Sequence, residues 1–237
     1  ILFQNKYYLL KLNLKKNKLS LFVVGFVGVY LFFIFRFLSF DYVPAGQANI
    51  ITYLWPLLAV LFSIRILKEP YSKKTFIAIA LGFIGSIFVI TNGKFFLFKS
   101  NFIIGYLFAL LASVSYAFLT IMNKKLKVDP LVGTFLYFII TFILSIPTLF
   151  LFSNFDFSFS KGIFFSILLI GVFLSSLSMV FWLEVIKLRP THKSLNLSYL
   201  TPFLALIWTY LLNGESIKLT SLVGLGMIVL GIFIQKK

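Results

Sequence analysis

The sequence predicts an all-α, polytopic membrane protein, an inverted-repeat helical bundle with eight spans, and three observations carry that reading. Of 237 residues, 60% are hydrophobic and 12% charged, about half the charge of an ordinary soluble domain. Long apolar runs recur, several near or above the roughly 18 to 20 residues that cross a bilayer core. Finally, Pro44 returns as Pro190 and Pro56 as Pro202, each 146 residues later, as though one unit had been copied.

The apolar runs lie at 19–40, 44–67, 75–91, 102–122, 131–152, 162–186, 194–212 and 219–234. Proline, glycine, asparagine and lysine break the chain between them, in connections too short for a soluble domain. Consecutive connections must lie on opposite faces of the membrane. Lys6, Lys11, Lys15, Lys16, Lys18, Arg65, Lys68, Lys73, Lys74, Lys124, Lys125, Lys127, Lys187, Arg189, Lys193, Lys236 and Lys237 fall on one face, seventeen of the 22 lysines and arginines. Arg36, Lys94, Lys99, Lys161 and Lys218 fall on the other. The basic face is expected to be cytoplasmic, with the C-terminus there. The formal net charge of +16 is thereby a topology signal, and no nucleic acid is expected as a partner.

The ungapped register also aligns Gly25 with Gly171, Tyr53 with Tyr199, Leu54 with Leu200, Glu69 with Glu215 and Gly85 with Gly231. Apolar runs match leucines by chance, whereas paired prolines, tyrosines, glutamates and glycines in one register indicate duplication. Spans one, two and three match six, seven and eight. Five spans separate each pair, so the halves are expected to be inverted. Residues 1–92 then form a first, incomplete repeat and 102–237 the second. Spans four and five lack partners, which predicts a ten-helix whole with this chain starting at the end of the second helix.

The order of a proline, small polar residues, the YLWP of Tyr53 to Pro56, an apolar run, Lys68-Glu69-Pro70 or Gly214-Glu215, and a glycine-rich closing helix resembles the EamA-type repeat of the drug/metabolite transporter superfamily. The ITYLWP segment resembles the aromatic amino-acid exporter branch, although Thr52 stands where that branch carries asparagine. The resemblance covers essentially the whole chain. It implies a secondary transporter exporting small amphipathic metabolites, aromatic or apolar amino acids foremost, by alternating access across a bacterial cytoplasmic membrane. Nucleotide sugars, vitamins or S-adenosylmethionine are alternative cargo in that superfamily.

Pro56 cannot donate a helical hydrogen bond, so the Thr52 carbonyl is freed, a cost tolerated where hydroxyls, protein or water cover it. Thr52 and Tyr53 are positioned for this, as Ser198 and Tyr199 are before Pro202. Asn49, Thr52, Tyr53 and Pro56 share one helical face, and Asn196, Tyr199 and Pro202 approximate the same stripe. Either these are packed kinks or they face a cavity, and repeat interfaces near the midplane favour the cavity. Tyr116 stands on a polar face with Ser113 and Thr120, and Trp182 on another with Ser175 and Ser178; each suits lining or packing. Arg36, deep in span one, either holds a substrate carboxylate or snorkels towards Asp41. Trp55 and Trp208 either stack on a ligand or fill space. The glycines of spans three and eight suit close helix contacts.

No cofactor or metal is expected, because zinc and di-iron sites need converging histidines and carboxylates and His192 is the single histidine. An enzyme is therefore disfavoured. A channel would show charged rings or a carbonyl filter. Asp41, Glu69, Asp129, Asp156 and Glu215 lie at span ends or in connections, and Glu184 has Lys187 and Arg189 beside it, so a passive or weakly coupled carrier is expected.

Overall fold

The structure, a computed structural model, describes residues 2–91, 102–152, 160–188, 190–213 and 218–236. Among the described residues, seven helices are long and apolar enough to cross a membrane: α1 (Asn17–Tyr42), α2 (Ala45–Leu67), α3 (Lys73–Thr91), α4 (Ile103–Leu126), α5 (Pro130–Phe152), α6 (Lys161–Leu188) and α7 (Thr191–Leu212). The eighth expected span lies in α8 (Leu219–Lys236), whose apolar stretch Leu219–Ile234 is shorter than the other seven. The basic stretch ahead of α1, read from the sequence as a connection, is helical from Leu2 and joins α1 through a non-helical turn at Asn17 (φ −132°). The expected partner of Glu69, Glu215, lies outside the described residues, as do Lys94, Lys99, Asp156 and Arg189.

Helix starts follow the local chemistry. Asp129 accepts from the Val132 amide at 3.1 Å and Ser160 from the Ile163 amide at 3.3 Å, each quenching a backbone donor that the first turn leaves orphaned. Pro44 and Pro190 precede α2 and α7 with almost identical backbone angles, φ −53°, ψ 134° and φ −53°, ψ 133°.

Both α2 and α7 are broken, and at repeat-equivalent positions. The first helical segment of α2, Ala45–Thr52, gives way to a turn at Tyr53 and Leu54, then resumes as Trp55–Phe62. That of α7, Thr191–Leu197, passes through a 3₁₀ turn at Ser198–Leu200 and resumes as Thr201–Asn213. Pro56 and Pro202 are each the second residue of the resumed segment, where the missing amide costs nothing. The Thr52 hydroxyl does not cover its own freed carbonyl: it donates back to the Ala48 carbonyl at 2.9 Å. Ser198 likewise donates to Leu195 at 2.6 Å.

The inversion is visible where α3 meets α8. A Cβ built on Gly85 would lie 2.5 Å from the Gly224 carbonyl oxygen, and one on Gly231 would lie 2.6 Å from the Ala78 carbonyl oxygen. Gly85 is the repeat mate of Gly231 and Ala78 of Gly224, so the two contacts exchange under the repeat. Along the pair, 78 to 85 runs against 231 to 224, so the helices are antiparallel. Reciprocal contact between antiparallel mates is the product of a two-fold axis lying in the membrane plane. Small residues there let backbones touch, which is how helices gain contact in lipid.

Wide-ring π turns interrupt α1 at Val24–Tyr30 and α6 at Leu169–Leu177, again at positions related by the repeat. The buried core lies in three clusters around α4, which packs against α1, α2 and α6.

Candidate functional site

A cavity of about 760 Å³ lies between the halves. From α1 and α2 come Arg36, Asn49, Thr52, Tyr53 and Trp55; from α4, Tyr116; from α6 and α7, Ser175, Ser178, Trp182, Ser194, Ser198 and Thr201. Its two ends approach opposite membrane faces, because Arg36 and Asn49 flank the α1–α2 connection and Val185 and Ser194 the α6–α7 connection. The π turns contribute Gly28 and Val29 on one side and Leu174 and Ser175 on the other. Gly28 is needed for a close approach, since a Cβ there would meet the Cβ of Leu119 at 2.7 Å.

Three rings form an aromatic corner. Trp55 meets Tyr116 edge-on at 4.8 Å between centroids and Trp182 edge-on at 5.2 Å. Phe32 leans on Tyr116 at 5.1 Å. Edge-on pairs are a preferred aromatic geometry and hold the rings in place. The Trp182 indole N–H donates to the Thr120 hydroxyl at 3.3 Å, which donates on to the Tyr116 carbonyl at 2.9 Å. Thr120 is thus a buried brace for Trp182 and does not line the cavity; Ser113 is also buried and outside the lining.

Arg36 turns inward, not towards Asp41. Its guanidinium donates to the Asn49 side-chain oxygen at 3.2 Å, with the Phe40 ring 5.4 Å and the Phe32 ring 5.9 Å away. Among the described residues no carboxylate pairs with it, and it is the single charged side chain lining the cavity.

Four sequence-predicted site residues stand outside the lining: Pro56, Asn196, Tyr199 and Pro202. All four are buried. Tyr199 packs over Gly82, whose added Cβ would strike its ring at 2.4 Å, and the Asn196 amide sits between Gly82 and Gly231. The broken segment of α7 therefore sends these side chains into the α3–α8 crossing. Of the site residues expected on α7, Ser198 alone reaches the cavity, and it lies beside the stripe of Asn196, Tyr199 and Pro202. The cause is an asymmetry between the copies: the mate of Gly82 is Ile228, fully buried, so no equivalent recess receives Tyr53, which stays at the cavity. Trp208 is 63% exposed and belongs to the outer surface. Ser194, Leu197, Thr201, Leu174 and Phe138 line the cavity without having been singled out; a polar or small residue spaced one turn from Ser198 was the available signal for Ser194 and Thr201.

Beyond Ser194, a polar cluster ties α4 and the α6–α7 connection to the loop after α2. Lys124 pairs with Glu69 at 2.8 Å and donates to the Thr191 hydroxyl at 3.1 Å. Glu69 also accepts from the Thr191 hydroxyl at 2.9 Å and from the Thr191 amide at 3.0 Å, capping α7. Burial alone would raise the Glu69 pKa, but the Lys124 ammonium and the Thr191 donors outweigh it and hold the carboxyl below its ordinary 4.5. Glu184 forms a half-exposed pair with Lys187 at 3.6 Å.

The EamA-like transporter family model matches residues 2–91 and 103–235. An uncharacterized transporter of Bacillus subtilis (strain 168), YyaM, is 28% identical over 228 residues, covering 94% of this chain and 74% of the relative. An uncharacterized transporter of Clostridium kluyveri is 25% identical over 236 residues, covering 95% and 74%. An uncharacterized transporter of Acidianus ambivalens is 25% identical over 205 residues, covering 82% and 75%. A crystal structure of a protein with 22% identity superimposes with a TM-score of 0.80 over 90% of this chain and 74% of the other. At that identity the likeness shows the fold. The broken, paired helices and the family match lead to one statement: this chain belongs to the EamA-like transporter family.

Proposed function

We propose that the protein exports small amphipathic metabolites across the cytoplasmic membrane by alternating access, its two halves rocking about the cavity. The observation that carries this reading is a single cavity lined at the broken segments of both α2 and α7. Trp55, Tyr116 and Trp182 offer flat apolar surface to a cargo body, and Arg36, Asn49 and Thr52 offer polar contact. Aromatic or apolar amino acids are the cargo class that the ITYLWP resemblance supports; the relatives are described as transporters with no cargo stated. Tyr53 contributes from the cavity wall. Tyr199 and Asn196 support the site from beneath by fixing α7 on α3.

The basic face is the cytoplasmic one in this reading, so the Glu69–Lys124–Thr191 cluster closes the inner end. The acids stand at span ends or in connections, and Glu184 is paired with Lys187, which supports passive or weakly coupled transport.

The test is resistance of cells to toxic aromatic amino-acid analogues, with and without the protein and with Tyr53→Ala, at equal expression. Resistance that depends on the intact protein and falls with Tyr53→Ala supports the reading; equal resistance in all three strains overturns that cargo class. In proteoliposomes, saturable flux with counterflow marks a carrier, and linear flux marks a channel.

A further inference from the structure

We infer that the occupant of this cavity carries an anionic group, a carboxylate or phosphate, beside its apolar or aromatic body, that Arg36 binds that group, and that a cargo lacking an ammonium binds more tightly than the zwitterionic amino acids of the proposed class. The inference rests on the reading of the cavity as the cargo site. A charge held within a membrane span is costly and persists where it faces a cavity or a partner. The described lining holds this one cation and no carboxylate. Asn49 takes one hydrogen bond, a neutral contact that leaves most of the five guanidinium donors uncommitted. The Phe32 and Phe40 rings attract the cation without neutralising it.

A net anion cancels the charge of the cavity. A zwitterion brings its own ammonium within a few ångströms of the guanidinium, and like charges at that distance repel. A cation meets that repulsion with no compensating bond. The expected order of affinity is therefore anion, zwitterion, cation, with steps of about tenfold, the scale of one charge-assisted hydrogen bond.

The experiment follows tryptophan fluorescence of the full chain in nanodiscs of phosphatidylcholine. A Trp208→Phe background leaves Trp55 and Trp182, both at the cavity, as reporters. Phenylacetate, phenylalanine and phenethylamine supply one body with three charges. The inference expects phenylacetate to bind tightest and phenethylamine weakest. Arg36→Gln should bring the three within about twofold, as should the near-isosteric Asn49→Asp, which neutralises Arg36 in place and serves if Arg36→Gln fails to fold. Arg36→Lys should keep the order.

Binding of all three with no order, or an order unchanged in Asn49→Asp, overturns the inference while the cargo site stands. Binding of none overturns the cargo-site reading and the inference with it. Repeating the titration with phosphatidylglycerol in the disc distinguishes the sources of the anion. Loss of phenylacetate binding assigns the site to an anionic lipid headgroup, and retention assigns it to a soluble anion; either supports the charge rule.

Discussion

Gly85 and Gly224 bring α3 and α8 into backbone contact, such that a side chain on either would lie 2.5 Å from the other's carbonyl oxygen. Ala78 and Gly231 repeat that contact with the partners exchanged, so one crossing records both the duplication and its inversion.

Gly85→Val and Gly224→Val are expected to destabilise the protein by about 1–3 kcal/mol or more, since backbone cannot yield as a flexible side chain can. Gly226 meets nothing within 4 Å, and Gly226→Ala should be neutral or stabilising by up to about 1 kcal/mol. Thermal unfolding in detergent measures both. Equal tolerance at the three positions would contradict the close crossing.

Pro56→Ala and Pro202→Ala each restore a backbone donor at a break. Both should leave stability unchanged or raise it by about 0.5–1.5 kcal/mol, one intrahelical hydrogen bond. Both should lower counterflow, because a continuous helix no longer presents its break at the cavity. Unchanged counterflow in both variants would show that the breaks serve packing alone.

Much of this was legible in the sequence. Lipid demands uninterrupted apolar helices, so span positions followed from composition; a proline within such a run frees a carbonyl one turn back, which becomes a break at Pro56 and Pro202 but not at Pro147, which sits inside the continuous α5. Of the α2 stripe, Asn49, Thr52 and Tyr53 line the cavity, whereas Pro56 is buried outside it. The α7 stripe does not reach it, because past a break the direction of a side chain depends on what it packs against. Gly82 opens a recess for Tyr199, and Ile228 fills the equivalent one. The direction of Arg36 was equally hidden, since its reach to Asn49 depends on how α1 and α2 fold back on each other.

The Glu69 cluster is expected to fail in acid. The Glu69 pKa is lowered on folding, so its stabilisation is present above the ordinary carboxylate value of 4.5 and is lost as pH falls through the folded value. Solvent screening limits the contribution to about 1 kcal/mol or less. Wild type should therefore lose more thermal stability between pH 6 and about 3 than Glu69→Gln does. Parallel pH profiles would contradict the assignment.

In the proposed function, the cavity between the two broken helices is the cargo path. The protein has no cysteine, so single cysteines can be introduced without background. Phenylalanine and phenylacetate counterflow in proteoliposomes, measured before and after a bulky thiol reagent on Ser198→Cys, tests the claim most directly, with the exposed outer position Leu204→Cys as control. Modification at 198 is expected to stop counterflow, and modification at 204 to leave it unchanged. Counterflow that survives complete modification at both positions would contradict the claim.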